Sequence, residues 1–251
     1  MFTQASLPTI CRLTLLYFGI GGLAVLGDLS DVDKQHIIDF VYAHQILPSN
    51  AFGDSRCGFR GSAFIGAPLH LTGEPKPVQP LPYDASHVTM TYSALNTLLI
   101  LGDDLSRVNR DAVMAGILSL QSENSNFINA SVLCHEFDAR FVFSAVASAY
   151  ILDQLDKLDI EGYVRFITKS LTFEGGFGHL PQLEAHAGAT YCNLACLKLL
   201  GKLESVLPER SRQREKLIYW LLQRQKVGFN GRSGKDDDSC YTFWVGACLQ
   251  V

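Results

Sequence analysis

Four stretches of the chain repeat one pattern, in which small residues mix with aromatics and then give way to aliphatics: "TMTYSALNTLLILG" near 91, "ARFVFSAVASAYIL" near 140, "GATYCNLACLKLLG" near 189 and "SCYTFWVGACL" near 240. They recur about every 50 residues, a period that belongs to stacked supersecondary units rather than to an ordinary globular mixture. Each is apolar nearly all round, which predicts a helix packed on both sides. The segments between are amphipathic. Ile160, Val164, Ile167 and Leu171 fall on one helical face, as do Val113, Ile117 and Leu120, and Leu217, Trp220 and Leu221. Each unit therefore reads as a polar-faced helix, a loop and an apolar helix. Three loops set Gly beside an aromatic, "CGFRG" at 57–61, "GGFG" at 175–178 and "VGFNG" at 227–231, where Gly permits the turns that bring one helix back on the next. Period-2 alternation never persists, so strands are not expected. The pattern predicts an all-α fold, an α/α barrel (toroid) of repeated helix pairs over residues 1–251. A closed ring is expected over an open solenoid because the second helix of each pair is apolar all round.

In such a ring, equivalent positions of successive repeats lie at one end. Arg140, His186, Arg232, Lys235, Asp238 and Cys240 stand in loops or at starts of the apolar helices, so they are expected around one mouth. Helix N-termini add free N–H groups and partial positive charge there, which suits an anion such as phosphate.

Composition narrows the classes. With 251 residues, 47% of them hydrophobic and 18% charged, the chain can bury a substantial core. Its net charge of -4 provides no broad basic field, which argues against a nucleic-acid partner. Seven cysteines, an odd number without regular close spacing, argue against a disulfide scaffold and fit a reducing, cytoplasmic setting. The apolar run after Arg12 is shorter than the ~20 residues that span a bilayer. It is read as a buried helix rather than a signal peptide, and no stable membrane insertion is expected.

The stretch "GRSGKDDDSCYTFWVG" holds the densest chemistry. Asp238 and Cys240 flank one residue and offer zinc a carboxylate oxygen and a thiolate sulfur, but taken alone the pair reads more simply as an N-cap Asp followed by a buried Cys. Arg232 and Lys235 can converge on an anion as a planar fork and a point charge, or stand solvated beside the acidic run. His186, at the start of the preceding apolar helix, has a structural alternative. Arg140 has another, an ion pair with Asp138 or Glu136. Cys192 and Cys196, four apart on one helix face, read as core. The sequence carries no Ser-His-Asp arrangement, no nucleotide-type phosphate loop and no CxxC pair.

The chain resembles the β subunits of protein prenyltransferases, and most closely those of protein geranylgeranyltransferase type I. "CRLTLLYFGIGGL", "RCGFRGS", "YDASHVTMTYSALNTLLILGDDLSRVN", "RFVFSA", "LEAHAGATYC" and "GRSGKDDDSCYTFWVGA" carry the resemblance over nearly the whole chain. It implies a zinc enzyme that works with an α subunit and moves geranylgeranyl from geranylgeranyl diphosphate to the cysteine of a C-terminal CaaX motif. By that resemblance Asp238 and Cys240 are zinc ligands, and with Tyr241 they are the catalytic residues. His186, Ala187, Gly188, Arg232, Lys235 and Tyr241 bind the diphosphate, and Thr242, Phe243 and Trp244 continue that site along the isoprenoid. Arg140 lies near the peptide's C-terminal end, and Thr14 is the small residue that leaves room for a twenty-carbon chain.

Relatives take their third zinc ligand from a His in a later repeat, and no residue here matches it before Val251. The family ring has about six helix pairs, against four to five counted here. The expectation is thus a domain truncated at its C-terminal end, with the missing His beyond it. The competing expectation is a non-catalytic helical-repeat module that binds the α subunit. A terpene-cyclase-like barrel is disfavoured, since no DxDD acid motif is present.

Overall fold

The structure, a computed structural model, describes residues 11–49, 51–62, 81, 83–122 and 127–250. The chain divides into two compact units, Met1–Gln121 with Asn129–Glu136, and Ser122–Ile128 with Phe137–Val251.

The first unit contains α1 (Arg12–Val25), α2 (Lys34–Tyr42), β1 (Gln45–Ile46), β2 (Gly58–Phe59), α3 (Val88–Leu101), α4 (Arg110–Leu118) and β3 (Asn129–Ser131), with β4 (Cys134–Phe137) leading out of it. The apolar helix α3 is its centre. Ala94, Leu95 and Leu98 have no exposed surface, and α1 and α2 both pack on this helix. Asp33 and Asn109 cap α2 and α4 by accepting backbone N–H groups of the first turn, and Gly102 ends α3 in the left-handed conformation that glycine favours. Helix α4 lies so close to the β2 loop that a Cβ on Gly116 would fall 2.0 Å from the Cys57 carbonyl oxygen. Val113, Ile117 and Leu120 are buried, as their spacing predicts.

The second unit contains α5 (Ala139–Ile151), a 3-10 turn (Leu155–Lys157), α6 (Ile160–Lys169), α7 (Ala187–Leu199), α8 (Leu203–Val206), α9 (Arg212–Leu222) and α10 (Cys240–Gln250). Helix α7 packs against both α5 and α10. The approach is close because the contact is made of small residues, Ala139 from α5 with Ala189 and Cys192 from α7. Cys192 and Cys196 are core residues, and Leu217, Trp220 and Leu221 form the buried face of α9. The four repeated apolar stretches are thus α3, α5, α7 and α10, and the amphipathic ones α4, α6 and α9.

Three expectations change. Short strands do occur: β1 pairs with β2 and β3 with β4, and isolated bridges join Leu171 to Phe177 and Gln225 to Phe229. The β1–β2 pair and the two bridges tie the Gly-aromatic loops to the segments that follow the preceding helices, and all are too short to show alternation. On α6 the buried face is Tyr163, Phe166 and Ile167, whereas Ile160 and Val164 are only half-buried. The two large aromatics take the core position that the aliphatic spacing alone had assigned elsewhere. On α1 only Leu13 and Ile20 are buried, while Phe18 is 65% and Val25 89% exposed. Among the described residues, then, the apolar run after Arg12 is a helix with one buried face rather than a buried helix.

Candidate functional site

The four repeated apolar helices, α3, α5, α7 and α10, begin with the same device. The first free N–H groups of a helix need acceptors, and a cap side chain supplies one. His87 Nδ1 accepts from the Thr89 N–H (3.3 Å), Asp138 Oδ1 from Arg140 (2.7 Å), His186 Nδ1 from Gly188 (3.1 Å) and Asp238 Oδ1 from Cys240 (2.9 Å). The main-chain N–H groups of His87, His186 and Asp238 donate in turn to Phe59, Phe177 and Phe229 of the Gly-aromatic loops. His186 and Asp238 are therefore one structural position in successive repeats. Arg140, Gly188 and Cys240 are a second, two residues on.

In the second unit this register brings several expected residues together. His186 uses Nδ1 as the capping acceptor, so its neutral ring carries the proton on Nε2, which lies 3.3 Å from the Tyr241 hydroxyl. Burial first, then His179 and Arg140, lower the proton affinity of His186 to about 4, so the ring is neutral at pH 7. Gly188 leaves room for that ring, since a Cβ would approach His186 Cε1 to 3.3 Å. Gly231 does the same for Tyr241, where a Cβ would lie 2.3 Å from Cζ. The Ala187 N–H donates to the Gly231 carbonyl at 2.8 Å, which ties the Arg232 loop to the start of α7.

Arg232 is ion-paired with Glu184, and both side chains are partly exposed. Its loop is braced from beneath by buried Arg224, whose guanidinium donates to Asn230 Oδ1 (3.4 Å) and Ser233 Oγ (3.2 Å). Asp237 also turns back into the loop, accepting the Gly228 N–H at 2.7 Å. Lys235 is exposed, and its main-chain N–H donates to the Arg232 carbonyl at 3.4 Å.

Asp238 caps α10, as one of the two alternatives held, but Cys240 is exposed rather than buried. The Cys240 backbone N–H and then its thiol hold the Asp238 carboxyl below its ordinary range. Desolvation and then that carboxylate push the thiol upward. The thiol thus keeps its proton and donates it to the carboxylate. Among the described residues no cluster of three or more His, Cys, Asp or Glu is placed to hold a metal.

Arg140 ion-pairs with Asp138 (2.6 Å) and lies 5.3 Å over the Phe141 ring. Thr14 belongs to the first unit, where its Oγ1 meets Met90 Sδ at 3.1 Å. Phe243 and Trp244 each stand about 5 Å from the Tyr191 ring, at 5.2 and 5.1 Å, forming an aromatic cluster with Thr242 exposed beside it. Glu184, Tyr191, Arg224 and His179 also belong to this group of side chains, and no motif in the sequence marks them. Repeat register offers a signal only for His179, which stands where the other Gly-aromatic loops have Gly61 and Gly231.

The prenyltransferase alpha-alpha toroid domain family matches residues 3–251. The chain belongs to this family. It is 39% identical over 247 residues to the geranylgeranyl transferase type-1 subunit beta of Dictyostelium discoideum, covering 96% of this chain and 69% of the relative. It is 35% identical to the subunit of the same name from Arabidopsis thaliana, with 96% and 65% covered. The protein farnesyltransferase subunit beta of Pisum sativum is 30% identical, with 97% of this chain and 51% of the relative covered. A solved structure titled "Candida albicans protein geranylgeranyltransferase-I complexed with GGPP" superposes with a TM-score of 0.78 at 22% identity, over 99% of this chain and 72% of that one. That likeness bears on the fold, and with the family match it gives the chain the expected α/α toroid architecture. No helix among the described residues is long and apolar enough to cross a membrane.

Proposed function

We propose that this toroid-family chain is the β subunit of a zinc-dependent protein geranylgeranyltransferase, acting in the cytoplasm with an α subunit. It would move geranylgeranyl from geranylgeranyl diphosphate to the cysteine of a CaaX protein. The observation that carries the reading is the shared cap position, which sets His186 against Tyr241 of the next repeat and Asp238 beside Cys240 within that repeat.

The donor chemistry fits zinc: Asp238 would supply a carboxylate oxygen and Cys240 a sulfur whose proton is released on metal binding. A bound zinc supplies the charge that keeps a substrate thiol deprotonated at neutral pH. The remaining work falls to the chain's own residues. Neutral His186 offers an Nε2–H and orients the Tyr241 hydroxyl toward the diphosphate. Arg232, once it leaves Glu184, and exposed Lys235 offset charge that grows on the leaving group as the carbon–oxygen bond breaks. Tyr191, Phe243 and Trp244 form an apolar wall for the isoprenoid, where each buried CH₂ contributes ~0.8 kcal/mol. Arg140 binds the peptide's C-terminal end, and Thr14 leaves room for the longer isoprenoid.

The two-donor set also favours a second reading, a non-catalytic module that binds the α subunit. Co-purification with an α subunit, followed by transfer of labelled geranylgeranyl to a CaaX protein, separates the two. Asp238→Ala and Cys240→Ala are expected to abolish transfer and leave α binding intact. Transfer that survives both substitutions overturns the metal role, and α binding with no transfer by the unaltered chain supports the second reading.

A further inference from the structure

His179 lies between the two groups of side chains that the transferase reading uses. Its ring centroid is 5.0 Å from that of His186, and its Nδ1 is 3.9 Å from Asp138 Oδ1, the partner of Arg140. That distance is too long for a hydrogen bond, and Nδ1 is buried without a partner, although the side chain as a whole is 29% exposed.

Repeat register explains how the ring came to stand there. The Leu13, Ala139 and Ala187 N–H groups donate to the carbonyls of Gly61, His179 and Gly231 respectively, which makes these three one position. At Gly231 a side chain would collide with the seated ring of Tyr241, three residues after the cap Asp238. Three residues after the cap His186 stands Ala189, small and fully buried. In register, a large helix residue with a loop glycine in one repeat thus corresponds to a small helix residue with a large loop residue in the repeat before. The contacts match as well. Tyr241 reaches the cap of the preceding repeat, His186, at 3.3 Å, and His179 faces the cap of its own preceding repeat, Asp138.

We infer that His179 is a further ligand-binding side chain of the proposed diphosphate site, donating a ring N–H to a phosphate oxygen beside His186, the counterpart of the Tyr241 O–H one repeat later. The inference rests on the transferase reading. In the bound state both ring nitrogens carry protons, Nδ1–H toward Asp138 and Nε2–H toward the phosphate, the second proton being taken from solvent. The charged and titratable groups that face the ring are Asp138 and Arg140 at the start of α5, His186 at the cap of α7 and Arg232 from the loop before α10. In the free chain, burial lowers the proton affinity of the ring, Asp138 pulls the other way, and Arg140 and Arg232 act with burial. A bound anion reverses that balance.

The test is titration of the α complex with inorganic diphosphate by calorimetry at pH 6.0 and 7.5, with thermal melts to establish folding. His179→Phe keeps the bulk without a donor and is expected to weaken binding about tenfold at pH 6.0, the loss of one charge-assisted hydrogen bond. His179→Gln keeps a donor without a titrating charge. It is expected to bind more tightly than the Phe variant and to lose the gain in affinity that the wild type shows on acidification. Wild-type binding in His179→Phe, alongside loss of binding in Arg232→Ala, overturns this inference and leaves the transferase reading standing. Absence of diphosphate binding by the wild-type complex overturns both. Where His179→Phe does not fold, His179→Gly with Ala189→Tyr transplants the arrangement of the next repeat and is expected to restore binding. A folded double variant that binds no better than His179→Gly counts against the inference.

Discussion

Replacing Gly231 with Ala should damage the site while sparing the fold. The Gly231 backbone is outside the left-handed region, so Ala is conformationally acceptable there and by itself would stabilise by roughly 0.4–1 kcal/mol through the unfolded chain. The new Cβ, however, would lie 2.3, 2.5 and 2.5 Å from Cζ, Cε1 and Oη of Tyr241, where ordinary contact begins at 3.4 Å. The ring end must therefore retreat by about 1 Å. Tyr241 is half-buried and can swing, so the backbone need not move. Its hydrogen bond to His186, already 3.3 Å long, does not survive that displacement. The loss is about 1 kcal/mol for the bond and roughly 0.5–1.5 kcal/mol for a strained rotamer, offset by the chain-entropy gain, a net destabilisation of about 0.5–2 kcal/mol.

Urea unfolding should register that small change, while affinity for geranylgeranyl diphosphate falls about tenfold, equivalent to ~1.4 kcal/mol. Tyr241→Phe removes the same hydrogen bond without a clash, so it calibrates the effect. Because both changes act through one contact, Gly231→Ala and Tyr241→Phe should be non-additive by at least about 0.5 kcal/mol. Additive losses, or a Gly231→Ala chain indistinguishable from wild type in affinity, would refute the assignment of Gly231 as the residue that seats Tyr241.

Gly116→Ala is expected to do the opposite. Its Cβ would meet the Cys57 carbonyl at 2.0 Å, backbone against backbone, and α4 cannot retreat without uncovering Val113 and Ile117, so a loss of about 3 kcal/mol should appear as a lower urea midpoint. An unchanged midpoint would show that α4 and the β2 loop are not packed this tightly. For His186, the folded-state value near 4 is below the ordinary 6.5, so between these values the unfolded chain binds more protons and stability falls as pH drops from about 6.5 to 4. The ring is partly solvated, which limits the effect to about 1–2 kcal/mol. His186→Asn retains the cap and should flatten the pH profile of unfolding, and an equally steep profile in that variant would assign the dependence to another group.

The contrast between helices and site shows what periodicity can and cannot convey. A repeat in which Val113, Ile117 and Leu120 share a face is visible because hydrophobic burial acts on each residue independently of its neighbours' identity. On α6 the same rule chose the wrong stripe, because Tyr163 and Phe166 bury more area than Ile160 and Val164, and size outweighed aliphatic spacing. The site is legible at a different level. Asp238 and His186 were found as separate candidates, one for its neighbour Cys240 and the other for its place in the previous repeat. Their equivalence as helix caps follows from hydrogen bonds to N–H groups two residues on, which no residue count displays. Glu184 and Arg224 were invisible for a related reason, since each acts on the Arg232 loop through a contact made only once the loop has folded. His179 lies between these cases. Its meaning depends on the pair it forms with Ala189, large against small, where the next repeat has Gly231 against Tyr241. A compensation of that kind is recoverable from sequence once the repeats are aligned by their caps rather than by their apolar stretches. It makes the loop-glycine position, together with the third residue after each cap, the place to look for residues that distinguish one toroid site from another.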